Sequence, residues 1–149
     1  MRGLFYLVAA ALAASPAVAS DKTDAMATVH QFFDLLDKGD FKGAYAACAS
    51  PASVLDDIPP HAWSGPTACA DWGNDFGTDA KAKGITEPDV KLGKPSHVDI
   101  DGNRAYVVDP GTYTYKQHDK PMTEPGVFTA ALQKTADGWR IVGWAWAKK

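Results

Sequence analysis

Three kinds of side chain in this chain have the types and positions to do chemistry: carboxylates beside breaks in the chain, tyrosines, and a cysteine pair. Asp56 sits near the end of the extended run Ser53-Val54-Leu55-Asp56-Asp57-Ile58, just before Pro59-Pro60. An acid there would point into a cavity, where loss of hydration raises a carboxyl pKa toward a range useful for proton transfer. Asp57, next along an extended chain, would point to the opposite side. The competing reading is a solvated Asp-Asp turn. His61 follows the prolines and would either pair with Asp56 as a proton relay or lie in a surface loop. Tyr45, Tyr113 and Tyr115 are the candidate phenols, and each would serve equally as a half-buried structural residue. Asp109 continues the alternation of Ala105 and Val107, so it is either a second inward acid or, through a bulge at Pro110-Gly111, a solvated one.

Cys48 and Cys69 are the two cysteines. In an exported chain they would be free to form a disulfide. Closing a loop of that length is worth about 3 kcal/mol by chain entropy. The alternative is two buried thiols on separate helices. The four histidines are scattered, and neither Cys-x-x-Cys nor His-x-x-x-His spacing occurs, so no metal site is expected. There is no Gly-x-Ser-x-Gly elbow and no glycine-rich phosphate loop. No cofactor is expected.

Export is suggested by the first nineteen residues. Arg2 precedes the apolar run Leu4–Ala14, which is too short to span a bilayer, and Ala17-Val18-Ala19 reads as a small-x-small cleavage site. Residues 1–19 are therefore expected to be a signal peptide and 20–149 one domain, periplasmic or secreted, with no membrane segment in the mature form. The chain carries 15 Lys+Arg against 18 Asp+Glu. That mildly acidic balance argues against nucleic acid as a partner.

The elements that must position these residues follow from periodicity. Met26, Val29, Phe32, Phe33 and Leu36 make one apolar stripe, predicting a helix over 24–38 that Gly39 stops. Asp40 caps a second helix carrying Phe41, Ala44, Tyr45 and Cys48, with Pro51 helping to end it. After the Asp56 segment and a short return at His61-Ala62-Trp63, Gly65-Pro66 opens a third helix with Ala68, Cys69, Trp72 and Phe76 inward. Gly73 and Gly77 weaken it by about 1 kcal/mol each relative to alanine.

From Pro88 onward the pattern is that of strands, with a turn at Asp101-Gly102, a break at Pro110-Gly111, a loop from His118 to Pro125, and a turn at Asp137-Gly138. The first hairpin is expected to pair Val98 with Ala105 and Ile100 with Asn103. The last is expected to pair Leu132 with Ile141, Ala130 with Gly143 and Phe128 with Ala145 around a four-residue loop. Trp144 and Trp146 then share the outer face with Thr129, Gln133 and Arg140. Large exposed aromatics among polar residues mark an interface, so a homodimer through Thr129, Arg140, Trp144 and Trp146 is expected. With a different register, the same tryptophans would line a pocket.

The order α-α-(β)-α followed by a curved antiparallel sheet resembles the nuclear-transport-factor-2-like superfamily, in its SnoaL-like and ketosteroid-isomerase-like branch. The carriers are Phe32-Phe33-Asp34-Leu35-Leu36-Asp37-Lys38-Gly39-Asp40-Phe41, the Trp63-Ser64-Gly65 approach to helix three, and Gly138-Trp139-Arg140-Ile141. The resemblance implies an α+β cone whose sheet wraps the helices and leaves a pocket, here with Phe32, Tyr45, Trp63, Asp109 and Tyr113 as candidate lining. It implies Asp56 at the position of the isomerases' general base. The isomerases' tyrosine on helix one falls at Phe32, which has no donor, and a missing oxyanion donor costs about two to three orders of magnitude in rate. The expectation is thus a protein that binds a small, mostly apolar or aromatic molecule without turnover. The alternatives are a cofactor-free isomerase, cyclase or dehydratase using Asp56 and His61, and a protein-interaction module using the Trp144/Trp146 face.

Overall fold

The computed structural model describes residues 16–149. The chain runs α1 (Pro16–Asp37), α2 (Phe41–Tyr45), β1 (Cys48–Leu55), β2 (Ala62–Gly65), α3 (Ala68–Ala82), β3 (Ile85–Leu92), β4 (His97–Asp101), β5 (Arg104–Gln117), β6 (Lys120–Thr135) and β7 (Gly138–Lys148). Residues 1–15 of the expected signal segment lie outside the described residues, and 16–19 form the start of α1. Among the described residues no helix is long and apolar enough to cross a membrane.

The helices pack on one face of a seven-stranded sheet of order β2-β1-β7-β6-β5-β3, with β4 also paired to β5. All pairings are antiparallel except β1 with β7. The predicted stripe of α1 is the buried one: Val29 and Phe32 are fully enclosed and Phe33 nearly so. They meet Val107 of β5, Phe128 and Leu132 of β6, and Ile141 of β7 in a single core. Each such side chain contributes about 1.5–3 kcal/mol by leaving water.

Several local expectations fail for identifiable reasons. The second helix is one short turn, held by the Asp40 carboxylate accepting from the Gly43 N–H at 2.9 Å. Cys48 therefore starts a strand rather than sitting on a helix. It is disulfide-bonded to Cys69 in the first turn of α3, tying the start of β1 to that helix.

In the first hairpin, Ile100 faces Ala105 and Val98 faces Val107, with Gly102-Asn103 as the turn and Gly102 at positive φ. Glycine in that first turn position suits a tight hairpin. The shift from the expected pairing is even in register, so both faces keep the predicted residues.

Neither Pro110 nor the prolines of β6 break their strands. Pro110 lies where β5 changes neighbour, after the last β4 pair (His97 with Val108) and before the last β3 pair (Leu92 with Gly111). Pro121 and Pro125 lie beyond the Gly126–Lys148 pair, where β6 has β5 on one side and no strand on the other. Proline is tolerated where no ladder needs its missing N–H. The predicted loop over 118–125 is instead a tight hairpin, with His118 and Asp119 both at positive φ, as primed turns require.

The last hairpin contains the main correction. Leu132 does pair with Ile141, but the turn is the two residues Ala136-Asp137, since Thr135 pairs with Gly138. One step later Ala131 pairs with Gly143, leaving Val142 as an extra residue in β7. A bulge of this kind reverses the alternation of everything beyond it. Ala130 thus faces Trp144 and Phe128 faces Trp146. Trp144 is buried and Trp146 half-buried on the helix side. Both rings have left the outer face, where Thr129 and Arg140 remain, and the surface argument for a dimer leaves with them.

Trp146 needs space over the sheet, and a cross-strand glycine pair provides it. Gly111 faces Gly126, and a Cβ on either would run into the Trp146 indole. A Cβ at Gly126 would also lie 2.9 Å from the Ala147 carbonyl oxygen, which is backbone and does not yield cheaply. Gly126→Ala should lower stability by about 1–3 kcal/mol, typical of overpacking. It should also change the near-UV circular dichroism of the tryptophans, whereas Gly77→Ala, with open space around its Cβ, should leave that spectrum unaltered.

Candidate functional site

Between α1, α2 and α3 on one side and β3, β5, β6 and β7 on the other lies a cavity of about 190 Å³. Trp72 and Phe76 of α3, Tyr113 and Tyr115 of β5, and Trp144 and Trp146 of β7 form much of its wall. The rings lock one another. Trp72 stands edge-on to Trp144 at 4.7 Å and 88°, Phe76 meets Trp72 at 5.5 Å and Tyr113 at 6.2 Å, and Tyr113 stacks on Tyr115 at 4.7 Å. Phe32, fully buried, backs this wall, 6.3 Å from Trp72 and 5.9 Å from Trp144.

Asp56 opens on this wall just after β1 ends. Its two oxygens are held by different donors: the Trp72 indole Nε1–H at 2.7 Å and the Asp57 backbone N–H at 2.6 Å. Burial and the neighbouring Asp57 carboxyl push its pKa up to about 7, against the partial relief of the Trp72 bond. Asp57 lines the same cavity, because the strand ends at Leu55 and the chain bends instead of continuing extended.

Burial acts to raise Asp57 as well. The Lys148 ammonium at 2.7 Å outweighs it, together with the Asp56 side chain, and holds Asp57 below the usual carboxylate value. Lys148 also reaches Glu124 at 3.0 Å, and Glu124 accepts from the Tyr115 hydroxyl at 2.6 Å. Two adjacent carboxyls are thus pushed apart: one stays ionised while the other titrates near neutrality.

Tyr113 completes the set. Its hydroxyl is buried without a hydrogen-bond partner, and burial raises its pKa, so it is a protonated phenol with a free donor. Tyr45 seats its phenol against α3 at Gly73, where a Cβ would collide with the hydroxyl. That explains a glycine that weakens its own helix. At the rim, Asp37 is pushed up to about 6 by burial and by Asp89, while Lys91 lies 3.5 Å from the one and 2.9 Å from the other.

The predicted residues thus separate. Asp56, Tyr45 and Tyr113 line the cavity; Phe32, Trp63, Asp109 and His61 do not. Trp63 is buried beside it, with its indole N–H given to Asp75 at 2.8 Å. The His61 ring lies 3.2 Å from the backbone carbonyl of Asp56, not against its carboxylate, so it is not placed as a relay. The strand before it has turned back, with Asp56 N–H bonded to the His61 carbonyl at 3.1 Å. Asp109 does point inward, but away from the cavity, and is fully enclosed with neither carboxyl oxygen hydrogen-bonded.

Trp72, Asp57, Glu124 and Lys148 were not singled out by sequence reasoning. Trp72 reads as one of a core stripe, and Glu124 falls in what reads as a loop. The pairing of Tyr113 with Glu124 across β5 and β6 is the signal that a continuous hairpin would have supplied. Among the described residues, no group of three or more His, Cys, Asp or Glu is placed to hold a metal ion.

The fold is that of the nuclear transport factor 2-like proteins, α+β with a curved sheet around N-terminal helices. A nuclear transport factor 2-like protein from Novosphingobium aromaticivorans superposes with a TM-score of 0.72 over 89% of this chain and 84% of its own, at 16% identity. One from Salmonella enterica gives 0.72 over 88% and 92%, at 18% identity. A ketosteroid isomerase-like protein from Erwinia carotovora atroseptica gives 0.66 over 86% and 95%, at 13% identity. No family model matches the sequence, and no curated protein matches it. At these identities the likeness is one of fold.

Two titrations check the electrostatics. In a carbon-detected NMR titration, the Asp56 carboxyl should show its midpoint near 7 while Asp57 stays ionised to well below that. Trp72→Phe removes a donor that favours the carboxylate, so the Asp56 midpoint should move upward; a downward move would contradict the assigned geometry.

Asp109 gives the second. Burial raises its pKa above the usual 3.8, opposed by His30. A carboxyl raised on folding favours the native state fully below its unfolded pKa, and that contribution is lost as pH rises through the folded value. Urea denaturation from about pH 4 to pH 8 should show the wild type losing stability relative to Asp109→Asn as pH rises. Parallel curves would mean that Asp109 ionises freely.

Proposed function

We propose that this protein is an exported, cofactor-free acid–base enzyme acting on a small molecule that enters the aromatic cavity, with Asp56 as the proton-transferring group. The observation that carries the reading is Asp56 itself: a carboxyl titrating near 7 against a wall of aromatic rings, held by two donors and flanked by an ionised partner. A base is most effective when its pKa lies near the working pH. The Tyr113 hydroxyl, buried and without a partner, supplies the donor that Phe32 cannot.

Such a pair performs proton abstraction next to a carbonyl. The Asp56 carboxylate takes the proton from carbon, the electron pair moves onto the carbonyl oxygen, and Tyr113 O–H holds the resulting enolate. Return of the proton to another carbon is isomerisation; collapse of the enolate with loss of a β-hydroxyl, which takes the proton from Asp56 and leaves as water, is dehydration. The ketosteroid isomerase-like fold neighbour is consistent with this chemistry, and the reading does not depend on it. A pocket that binds without turnover would need no acid tuned to this range.

Kemp elimination of 5-nitrobenzisoxazole reports a carboxylate base in an apolar site and needs no knowledge of the natural substrate. The rate should rise through about pH 7, since the ionised form of Asp56 is the active one. Asp56→Asn should lower it by about 10²–10⁴-fold. A rate indifferent to Asp56→Asn would overturn the catalytic role and leave a binding protein.

A further inference from the structure

We infer that the ligand of this cavity is an organic cation, an apolar molecule carrying a protonated amine or a quaternary ammonium group. The inference takes from the proposal above only that the ligand lies against Asp56. Two independent features point to it.

The first is the charge left over around the cavity. Six carboxylates line it, Asp37, Asp56, Asp57, Asp79, Asp89 and Glu124, against two lysines, Lys83 and Lys148. Both lysines are engaged. Lys83 is paired with Asp79 at 2.7 Å, and Lys148 is shared between Asp57 and Glu124 at 2.7 and 3.0 Å. No lining cation is left to receive an anionic ligand, while the ionised form of Asp56 and one charge of the Asp57/Glu124 pair have no lysine to balance them. At the rim, Asp37 and Asp89 share the single Lys91.

The second is the wall. Trp72 and Trp144 stand perpendicular at 4.7 Å, with Phe76 and Tyr113 continuing the surface. Aromatic walls bind cations through the negative faces of their rings, tryptophan most strongly. The Tyr113 hydroxyl oxygen, without a partner, adds an acceptor for an ammonium N–H. Rings alone would take any apolar molecule, and carboxylates alone would remain hydrated; only a cation with an apolar body satisfies both.

The test is a matched pair of probes that differ only in a cationic nitrogen replacing a neutral carbon. N,N,N-Trimethylanilinium and its neutral isostere tert-butylbenzene are titrated into the full-length folded protein at about pH 8, with tryptophan fluorescence or calorimetry as the readout. The cation should bind about tenfold or more tightly than the isostere, and benzenesulfonate should not bind. Asp56→Asn should erase most of the cation's advantage while leaving tert-butylbenzene binding in place. Asp37→Asn, a rim substitution, should weaken the cation by about two- to threefold and not touch the neutral probe. Equal or tighter binding of tert-butylbenzene, or no binding of the cation, would overturn the inference. Neither result bears on the Kemp elimination rate, so failure of the charge assignment and failure of the proton-transfer role are read separately.

Discussion

The extra residue at Val142 is the constraint on which the site depends. Up to Ile141, β7 alternates with odd-numbered residues inward; beyond Val142 the even-numbered ones are inward. The reversal brings Trp144, Trp146 and Lys148 to the cavity together. Remove that one step and two rings of the wall turn to solvent. The cation that holds Asp57 and Glu124 leaves with them. Bulges re-aim side chains beside functional sites in many sheets. Here one bulge sets both the apolar wall and the charge that tunes it.

That tuning is indirect. Lys148 does not touch Asp56; it touches Asp57, 2.7 Å away, and keeps it ionised. An ionised Asp57 beside a buried Asp56 leaves Asp56 as the carboxyl that retains its proton to neutrality. Trp72 works in the opposite sense, donating to Asp56 and restraining the rise. The acid therefore sits between three influences from different elements: burial by the wall, a neighbour fixed from the C-terminal strand, and a donor from α3. Each element alone is ordinary, and the combination requires all of them in register.

How much of this is legible in the sequence follows from the range of the signals. Helix stripes and the inward alternation of β5 and β6 are local, and they place Val29, Phe32, Val107 and Leu132 in the core without help from the fold. Asp56 and Tyr113 are found because an acid beside a proline break and a phenol in a strand stand out individually. The site residues that escape are those whose position depends on a partner strand. The bulge at Val142 has only Gly143 beside it as a local sign: a glycine inside a strand often accompanies a bulge but does not by itself fix the register. Glu124 is hidden by Pro121 and Pro125, which argue for a loop unless one knows that β6 has a free edge there. Asp57 is assigned to the wrong side because the extended run stops at Leu55, three residues short of the Ile58 that its composition suggests.

The same interplay explains residues that look like defects. Gly73 weakens α3, yet it is the seat of the Tyr45 phenol; Gly111 and Gly126 weaken two strands, yet between them Trp146 lies flat enough to reach the wall. Asp109 buries a carboxyl with no partner under α1, at the point where β5, still paired with β6 on one side, exchanges β4 for β3 on the other. A protonated carboxyl is the least costly form of that residue in such a place, since an ion there would forgo hydration with nothing in return. The glycines are costs that the cavity repays in shape. Asp109 does not line the cavity, so it and Asp56 are raised acids of different kinds: Asp56 lines the cavity and is tuned by burial and by its neighbours Asp57 and Trp72, whereas Asp109 is sealed in the core and tuned mainly by burial.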